Sequence, residues 1–594
     1  MSSPTTLCEA FQRTATTRSD RVALRTVDGS IEITWGRYRE RVRAIAAGLS
    51  ALGVGRGDTV ALMLTNRPEF HLVDTAALHL GAVPFSVYNT FTPEQIAGVC
   101  DNAGARIVVT EQRFLPLLRQ AQPGTRLERI VLVDGAASDA VTLAEVEATP
   151  DPAFDFEASW RAVTGADLIT IVYTSGTTGP PKGVELTHAA QVALLAGLEQ
   201  IFADIPGYAQ RSISFLPAAH IAERFGFHYW PMLTGATITS VAEMSGVMDA
   251  LPRVLPTYWG TVPRVWEKAK AGIEARVAEM PGGARYLFEK ALALSLRRVR
   301  AQQAGRDLDP ISVALQRAVD ALLFARLRRT MGLEQCRFVF VGAAPISVDV
   351  LEFCNALGIP LMEAFGMTES SGLGAVNPPE DARIGSVGKA MPGMEVRLAP
   401  DGELLLRGPL LMRGYRGQPQ QTAEAIDAEG WLHTGDIATI DADGYVRIVD
   451  RKKELIINAA GKNMSPANIE AALKGAHPLI GQAVAIGDGR PYNVALIVLD
   501  PQVAAAFART RNLPADPVAL ADSAEVHEVI EGAVAEANRH LARVEQIKRF
   551  VILGQEWLPG GDELTPTLKL KRTPITAKYA DRIEALYGPV PQGS

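Results

Sequence analysis

The stretch Tyr173-Thr-Ser-Gly-Thr-Thr-Gly-Pro-Pro-Lys-Gly-Val crowds hydroxyls, glycines and a single lysine into one loop. Small side chains let backbone N–H groups close on phosphate oxygens, hydroxyls add donors, and Lys182 adds charge. The apolar run Leu168-Ile-Thr-Ile-Val precedes the loop and a helix is expected to begin near Thr187, which makes this a strand-to-helix connection. It is not a Walker A loop, because Pro181 precedes Lys182 and Gly183 follows it where that motif needs Gly-Lys-Ser/Thr. The chemistry on offer is the handling of a phosphate chain by other means.

Further segments with chemical potential follow in order. They are Phe215-Leu-Pro-Ala-Ala-His-Ile-Ala-Glu-Arg, Phe340-Val-Gly-Ala-Ala-Pro-Ile, Glu363-Ala-Phe-Gly-Met-Thr-Glu, Trp431-Leu-His-Thr-Gly-Asp and Asp450-Arg-Lys-Lys-Glu-Leu-Ile. Together with the hydroxyl-rich loop they resemble, in content and in order, the motifs of the adenylate-forming superfamily of acyl-CoA synthetases, luciferases and peptide synthetase adenylation domains. The resemblance spans nearly the whole chain. It implies ATP, Mg²⁺ and CoA, with a phosphate loop of Thr174, Ser175, Gly176, Thr177, Thr178, Gly179 and Lys182. It sets adenine against Gly342, Ala343, Ala344 and Pro345 and against Glu363, Ala364, Phe365, Gly366, Met367 and Thr368. Ribose falls to Asp436 and Arg451.

Each position also has a chemical reason. Joining an acid to AMP brings a carboxylate to the α-phosphorus of ATP and expels pyrophosphate, so positioning and charge neutralisation should dominate catalysis. Glu369, with a hydroxyl from Thr174 or its neighbours, is the expected Mg²⁺ holder, since magnesium keeps several waters and accepts few protein oxygens. Asp436 is acceptor-only and can take both ribose hydroxyls.

The resemblance assigns the remaining roles. Asp450 is the hinge about which a small C-terminal domain turns after adenylation. Lys569, in Leu564-Thr-Pro-Thr-Leu-Lys-Leu-Lys-Arg, matches the late lysine that bridges α-phosphate and carboxylate. Lys571 stands two residues on, and an extended segment puts both side chains on one face, so spacing leaves the two open. His220 matches a gate to the acid site, and Lys182, His220, Glu369 and Lys569 are the expected catalytic set. Ala460-Gly461 stands where the family often has two glycines beside pantetheine; with Lys453 it makes the expected CoA passage, narrowed by one methyl.

The segments His220-Ile-Ala-Glu-Arg, Val262-Pro-Arg-Val-Trp-Glu-Lys and Glu563-Leu-Thr-Pro-Thr-Leu-Lys-Leu-Lys-Arg most resemble bacterial long-chain fatty acyl-CoA synthetases, including the bubblegum-like branch. The expected partners are therefore a fatty acid, ATP and CoA. A fatty chain needs an apolar tunnel, contributing about 0.8 kcal/mol per buried CH₂. Residues 225–235 and 257–262 are apolar and aromatic enough to line one, and core packing accounts for them equally well. The alternatives are a medium-chain or aryl acid, and a fatty acyl-AMP ligase or one that loads a carrier-protein thiol.

Holding these groups in place requires several elements. Helical signals at 35–53, 69–81 and 92–102 alternate with strand signals at 58–64, 82–88 and 105–110, the pattern of a parallel, doubly wound sheet. Short strands with Gly and Asp turns follow Pro378, and the chain beyond Asp450 mixes strands with helices. The expected fold class is α/β multidomain. A large N-terminal domain at 1–449 holds two doubly wound subdomains and a small β-barrel-like one at about 378–449, and Asp450 joins it to a small mobile α+β domain at 451–594.

The 594 residues carry 59 Lys+Arg against 66 Asp+Glu, a net charge of −7 that argues against nucleic acid as a partner. Four scattered cysteines without C-x-x-C spacing read as buried free thiols. With no basic-then-apolar leader and no apolar run of about 18 residues, a cytoplasmic location is expected. Residues 264–330 are strongly helical and hold 14 Lys/Arg against 7 Asp/Glu. This local +7 reads either as a solvated helical face or as a patch for anionic lipid or a phosphorylated substrate, so contact with the inner face of the membrane is kept open, as is a homodimer.

Overall fold

The computed structural model describes residues 3–174, 181–306, 309–459, 462–558, 560–565 and 569–588. The first doubly wound unit is a parallel sheet in the order Val83–Ser86, Thr59–Met63, Ile107–Thr110, Arg129–Leu132, Val141–Thr142. Its strands are buried on both faces by helices such as Pro68–His79 and Pro93–Ala103, as a parallel sheet requires. Thr92 begins the second of these helices with a capping box on Gln95, with Pro93 at its first position.

A second sheet aligns Tyr258–Thr261, Phe338–Val341 and Leu361–Phe365 in parallel and adds two short antiparallel strands. The basic region lies inside this sheet's crossover. Helices Pro263–Ala278, Gly282–Gln303, Pro310–Val319 and Ala325–Thr330 separate two strands that nevertheless pair in register. A third sheet joins Arg211–Ser214, Thr237–Ser240 and Val22–Thr26 in parallel and ends on Glu32–Thr34.

One sequence expectation needs correcting. Residues Lys182–Thr187 form a strand antiparallel to Leu168–Thr174, so the hydroxyl-rich loop joins two strands of a hairpin, and the helix His188–Phe202 starts only after the second. Gly183 permits the close approach of the two strands, since a Cβ there would lie 2.9 Å from Ile171 and 3.0 Å from Tyr173. No helix N-terminus follows Lys182 directly, since the helix begins at His188.

Strands Glu395–Leu398, Glu403–Arg407, Leu432–Ile440 and Val446–Arg451 form the small antiparallel sheet. Its last strand runs through Asp450 to Arg451. Beyond it the apolar cores divide, and Ile456, Met464, Ile469, Leu473 and their neighbours bury against one another under the sheet Ile480–Ile486, Asn493–Leu499, Ile547–Leu553. All four cysteines are free, three of them buried and Cys336 half-buried.

Candidate adenylation site

The antiparallel register of the small sheet sets Asp436 opposite Arg451, and their side chains meet at 2.8 Å between Oδ1 and Nε. Asp436 Oδ2 is buried and has no hydrogen-bond partner, so one carboxylate oxygen is left for a ligand. Burial raises this carboxyl to about 6, against the pull of Arg451 and Lys569. An orphaned, acceptor-only oxygen fits a diol such as ribose.

Glu369 sits in the turn Thr368–Ser370, just after the strand Leu361–Phe365. Its Oε1 accepts from the Tyr415 hydroxyl at 2.8 Å, and the same tyrosine ring lies 4.9 Å from the Lys182 ammonium. Thr174 pairs with Lys182 across the hairpin, and Tyr415 pairs with Val184 on its other side. Two expected residues from distant motifs, Lys182 and Glu369, are therefore gathered on Tyr415, which the sequence did not single out. One carboxylate and one hydroxyl suit magnesium, which needs few protein oxygens, although no cluster of three metal-binding side chains occurs among the described residues.

Lys569 comes from the other domain. It stands beside the Leu564–Leu570 bridge, with its own N–H donating to Thr565 Oγ1 at 3.0 Å. Solvent reaches it, yet protein groups surround it, as for a side chain lining a deep open cleft. Burial and the Arg451 charge lower its ammonium, while Asp436, Glu369 and Glu454 oppose that shift. Lys571, the alternative, donates to Gly561 O at 2.8 Å and takes no part in this group. The two lysines separate because the chain turns at Lys571 into the helix Arg572–Lys578, which ends the alternation that would have put them on one face.

His220 faces the same cleft. Its Nδ1 accepts from Ala222 N–H at 3.1 Å, which leaves the proton on Nε2, and burial with the Lys569 charge lowers it to about 4, so the ring is neutral. Glu223, three residues on, is buried, and burial raises its carboxyl to about 8. Arg224 holds the turn. It donates to Ala218 O (3.1 Å), Ser86 Oγ (2.9 Å), Tyr229 OH (2.8 Å) and Asp74 Oδ2 (2.7 Å), all inside the protein. The region expected to be an apolar tunnel wall thus begins on a buried ion pair, which His228 extends by reaching Asp74 Oδ1 at 2.9 Å. Sequence reasoning missed this network because its partners are up to 154 residues apart.

The expected adenine walls do meet. A Cβ on Gly342 would lie 3.0 Å from Ala364 O, and Ala343 adopts φ +67°, a left-handed conformation costly for alanine. Ala343, Ala344 and Pro345 are exposed. Phe365, Gly366, Met367 and Thr368 continue from that strand towards Glu369, half-buried. Glu363 turns elsewhere: its Oε2 accepts from Gly385 N–H at 2.8 Å, and burial raises it to about 7.

Asp450 is buried and accepts from Ser465 Oγ (2.6 Å) and Ala467 N–H (3.0 Å), so the expected hinge residue grips the first helix of the C-terminal domain. Lys453 is exposed. Ser175, Gly176, Thr177, Thr178, Gly179, Ala460 and Gly461 lie outside the described residues.

The family model described as AMP-binding enzyme matches residues 11–416, and that of the AMP-binding enzyme C-terminal domain matches 453–590. This chain belongs to the AMP-binding enzyme family. Among AMP-binding enzymes, fadD11 of Mycobacterium tuberculosis is 50% identical over 435 residues, which are 73% of this chain and 76% of that one. The long-chain-fatty-acid–CoA ligase FadD15 of the same organism is 33% identical over 581 residues, 95% and 94% of the two chains. A crystal structure of the anthranilate CoA ligase AuaEII with anthranoyl-AMP superposes with a TM-score of 0.73 at 20% identity, covering 98% of this chain and 99% of that one. This last likeness shows the shared fold of the AMP-binding enzymes and its C-terminal domain.

Proposed function

We propose that the protein activates a long-chain fatty acid. Its carboxylate attacks the α-phosphorus of ATP, the bond to the bridging oxygen breaks, and pyrophosphate leaves an acyl-adenylate. The CoA thiol, losing its proton, then attacks the acyl carbon and releases AMP. The observation that carries this reading is the arrival of Lys569, from the C-terminal domain, beside Arg451 of the hinge strand and among Asp436, Glu369 and His220 of the larger domain.

In this reading Asp436 and Arg451 fix the ribose, and Lys569 offers its charge to the two anions that must approach each other. Glu369, steadied by Tyr415, would hold Mg²⁺ with Thr174, and the ion would supply further neutralisation of the phosphate chain. His220, neutral, can donate from Nε2 without repelling Lys569. Thr174 to Gly179 would cradle phosphates, and Ala460, Gly461 and Lys453 would border the path of CoA. The hinge would be Asp450.

Long-chain specificity is supported by the name of FadD15 and by one local feature. Gly226 is buried in the π-helical stretch Arg224–Tyr229, yet nothing lies within 4 Å of where its Cβ would be, so space opens beside the aromatic wall. The test is AMP and pyrophosphate release across acids from acetate to C24 and aryl acids, with and without CoA. Palmitate-dependent, CoA-stimulated release is expected. Turnover confined to short or aryl acids would overturn the chain-length reading, and release that CoA does not stimulate would favour an acyl-AMP ligase.

A further inference from the structure

The helical insertion turns an apolar face to solvent. Along the helix Pro310–Val319, Ile311, Ala314, Leu315 and Ala318 recur at helical spacing on the exposed side, while the polar Gln316 is buried beneath them. Ile311 is 80% exposed and Leu322, one further step along the same stripe, is 74% exposed. The neighbouring helix Gly282–Gln303 does the same at its start, where Tyr286 and Leu287 are exposed and Phe288 packs on Phe324, bringing the two patches together. That helix buries Ala291, Ser295 and Val299 on its inner side, and Arg300 ties it to Glu352 of the body at 2.7 Å. The outward face of the pair is thus set by the packing of its inward face.

Exposed cations surround this surface. Lys290 lies over the Tyr286 ring at 5.3 Å, and Arg317, Arg326 and Arg329 stand on the second helix and its continuation. Aliphatic side chains in water with lysine and arginine about them, in a stretch carrying 14 Lys/Arg against 7 Asp/Glu, match a surface that is apolar inside and anionic at its edge. A symmetric contact between two copies would set these cations against one another. No helix among the described residues is long and apolar enough to cross a membrane, so the contact must be peripheral.

We propose that the face built by Leu287, Ile311, Leu315 and Leu322, with Lys290, Arg317, Arg326 and Arg329 about it, docks the protein on an anionic lipid bilayer. The stripe enters the interface between headgroups and acyl chains, and the cations meet lipid phosphates at its edge. Docking rests on this surface alone. Its consequence, that the acid to be activated is taken from the bilayer, rests on the proposed function.

Flotation of the full chain with phosphatidylcholine vesicles, with and without phosphatidylglycerol and at low and high salt, tests the proposal. Binding is expected to anionic vesicles only and to weaken with salt. Replacing Arg317, Arg326 and Arg329 by glutamine should lower the partition coefficient by about fivefold per charge, and I311S/L315S/L322S should lower it at least about tenfold. Being exposed, these substitutions should leave acid-dependent ATP–pyrophosphate exchange with a soluble medium-chain acid unchanged, which also shows the variants fold. Equal binding to neutral vesicles, no binding, or a concentration-dependent dimer that the serine variant dissociates would each overturn the proposal. Flotation without any acid-dependent exchange would instead count against the proposed function while leaving docking intact.

Discussion

Arg264 Nη2 donates to Asp500 Oδ2 at 2.7 Å, joining the first helix of the insertion to the C-terminal domain. Glu267 holds Arg264 from its own helix at 3.3 Å, and Lys268 adds a second contact to Asp500 at 3.1 Å. Burial alone would raise the Asp500 carboxyl; Val503 N–H and Arg264 outweigh it and keep it below its ordinary range. Apart from Arg451 and Lys452 at the hinge strand, these are the ion pairs that bridge the two cores among the described residues. In this docked arrangement Lys569 lies within electrostatic reach of Asp436. R264Q and D500N are expected to slow acid-dependent pyrophosphate exchange by about tenfold, near 1.4 kcal/mol, and to spare thioester formation from supplied acyl-adenylate. Asparagine keeps the helix cap that Asp500 provides, so equal loss in both half-reactions would show that the pair only stabilises the fold.

The two late lysines should part company. K569A is expected to reduce exchange by about a hundredfold or more through loss of charge at the reacting phosphate. K571A removes one bond to Gly561 O and should cost about 1 kcal/mol of stability with exchange changed by no more than about twofold. The reverse ranking in a pyrophosphate-exchange assay would reassign the role.

Nucleotide affinity should depend on Asp436. Its carboxyl titrates near 6 among Arg451, Lys569, Asp450 and Glu369, so it is ionised at neutral pH and becomes protonated as pH falls below that value. In the proposed ribose-binding role the ionised, acceptor-only form is the one that binds, so AMP affinity should fall by about tenfold per pH unit once pH is well below 6. Calorimetric titration with AMP from pH 5 to 8 checks this. D436N should bind weakly with a flat profile over the same range.

Glu223 gives a stability test of opposite sense. Its folded value, about 8, exceeds the ordinary 4.5, so the folded state keeps a proton that the unfolded chain has lost, and stability contributed by this group declines as pH rises from about 4.5 to about 8. E223Q does not titrate. The Tm of E223Q relative to the unsubstituted protein should climb across that window and level off above it, as differential scanning calorimetry would show; a constant difference would contradict the buried, protonated state.

The sequence by itself determined the family, the order of the motifs and most element positions. Expected helices at 35–53, 69–81 and 92–102 stand at Trp35–Ala51, Pro68–His79 and Pro93–Ala103, because caps, prolines and periodicity act over a few residues. Lys182, Glu369, Asp436 and Arg451 stood out in the sequence because they sit in short local motifs whose residue types suit the phosphate and ribose roles proposed for them. Only the tertiary structure decided which lysine enters the cleft, since Lys569 and Lys571 differ by one turn of chain after an extended segment. It alone revealed that Tyr415 links Lys182 to Glu369, that Arg224 and Asp74 neutralise each other beneath His220, and that Arg264 meets Asp500. These pairings join residues 46 to 236 positions apart, and no local pattern records a contact whose energy exists only once the intervening chain has folded. The hydroxyl-rich loop shows the same limit: its composition suggested a phosphate cradle, but that a second strand follows it, with Gly183 packed closely on Ile171 and Tyr173, appears only in the fold.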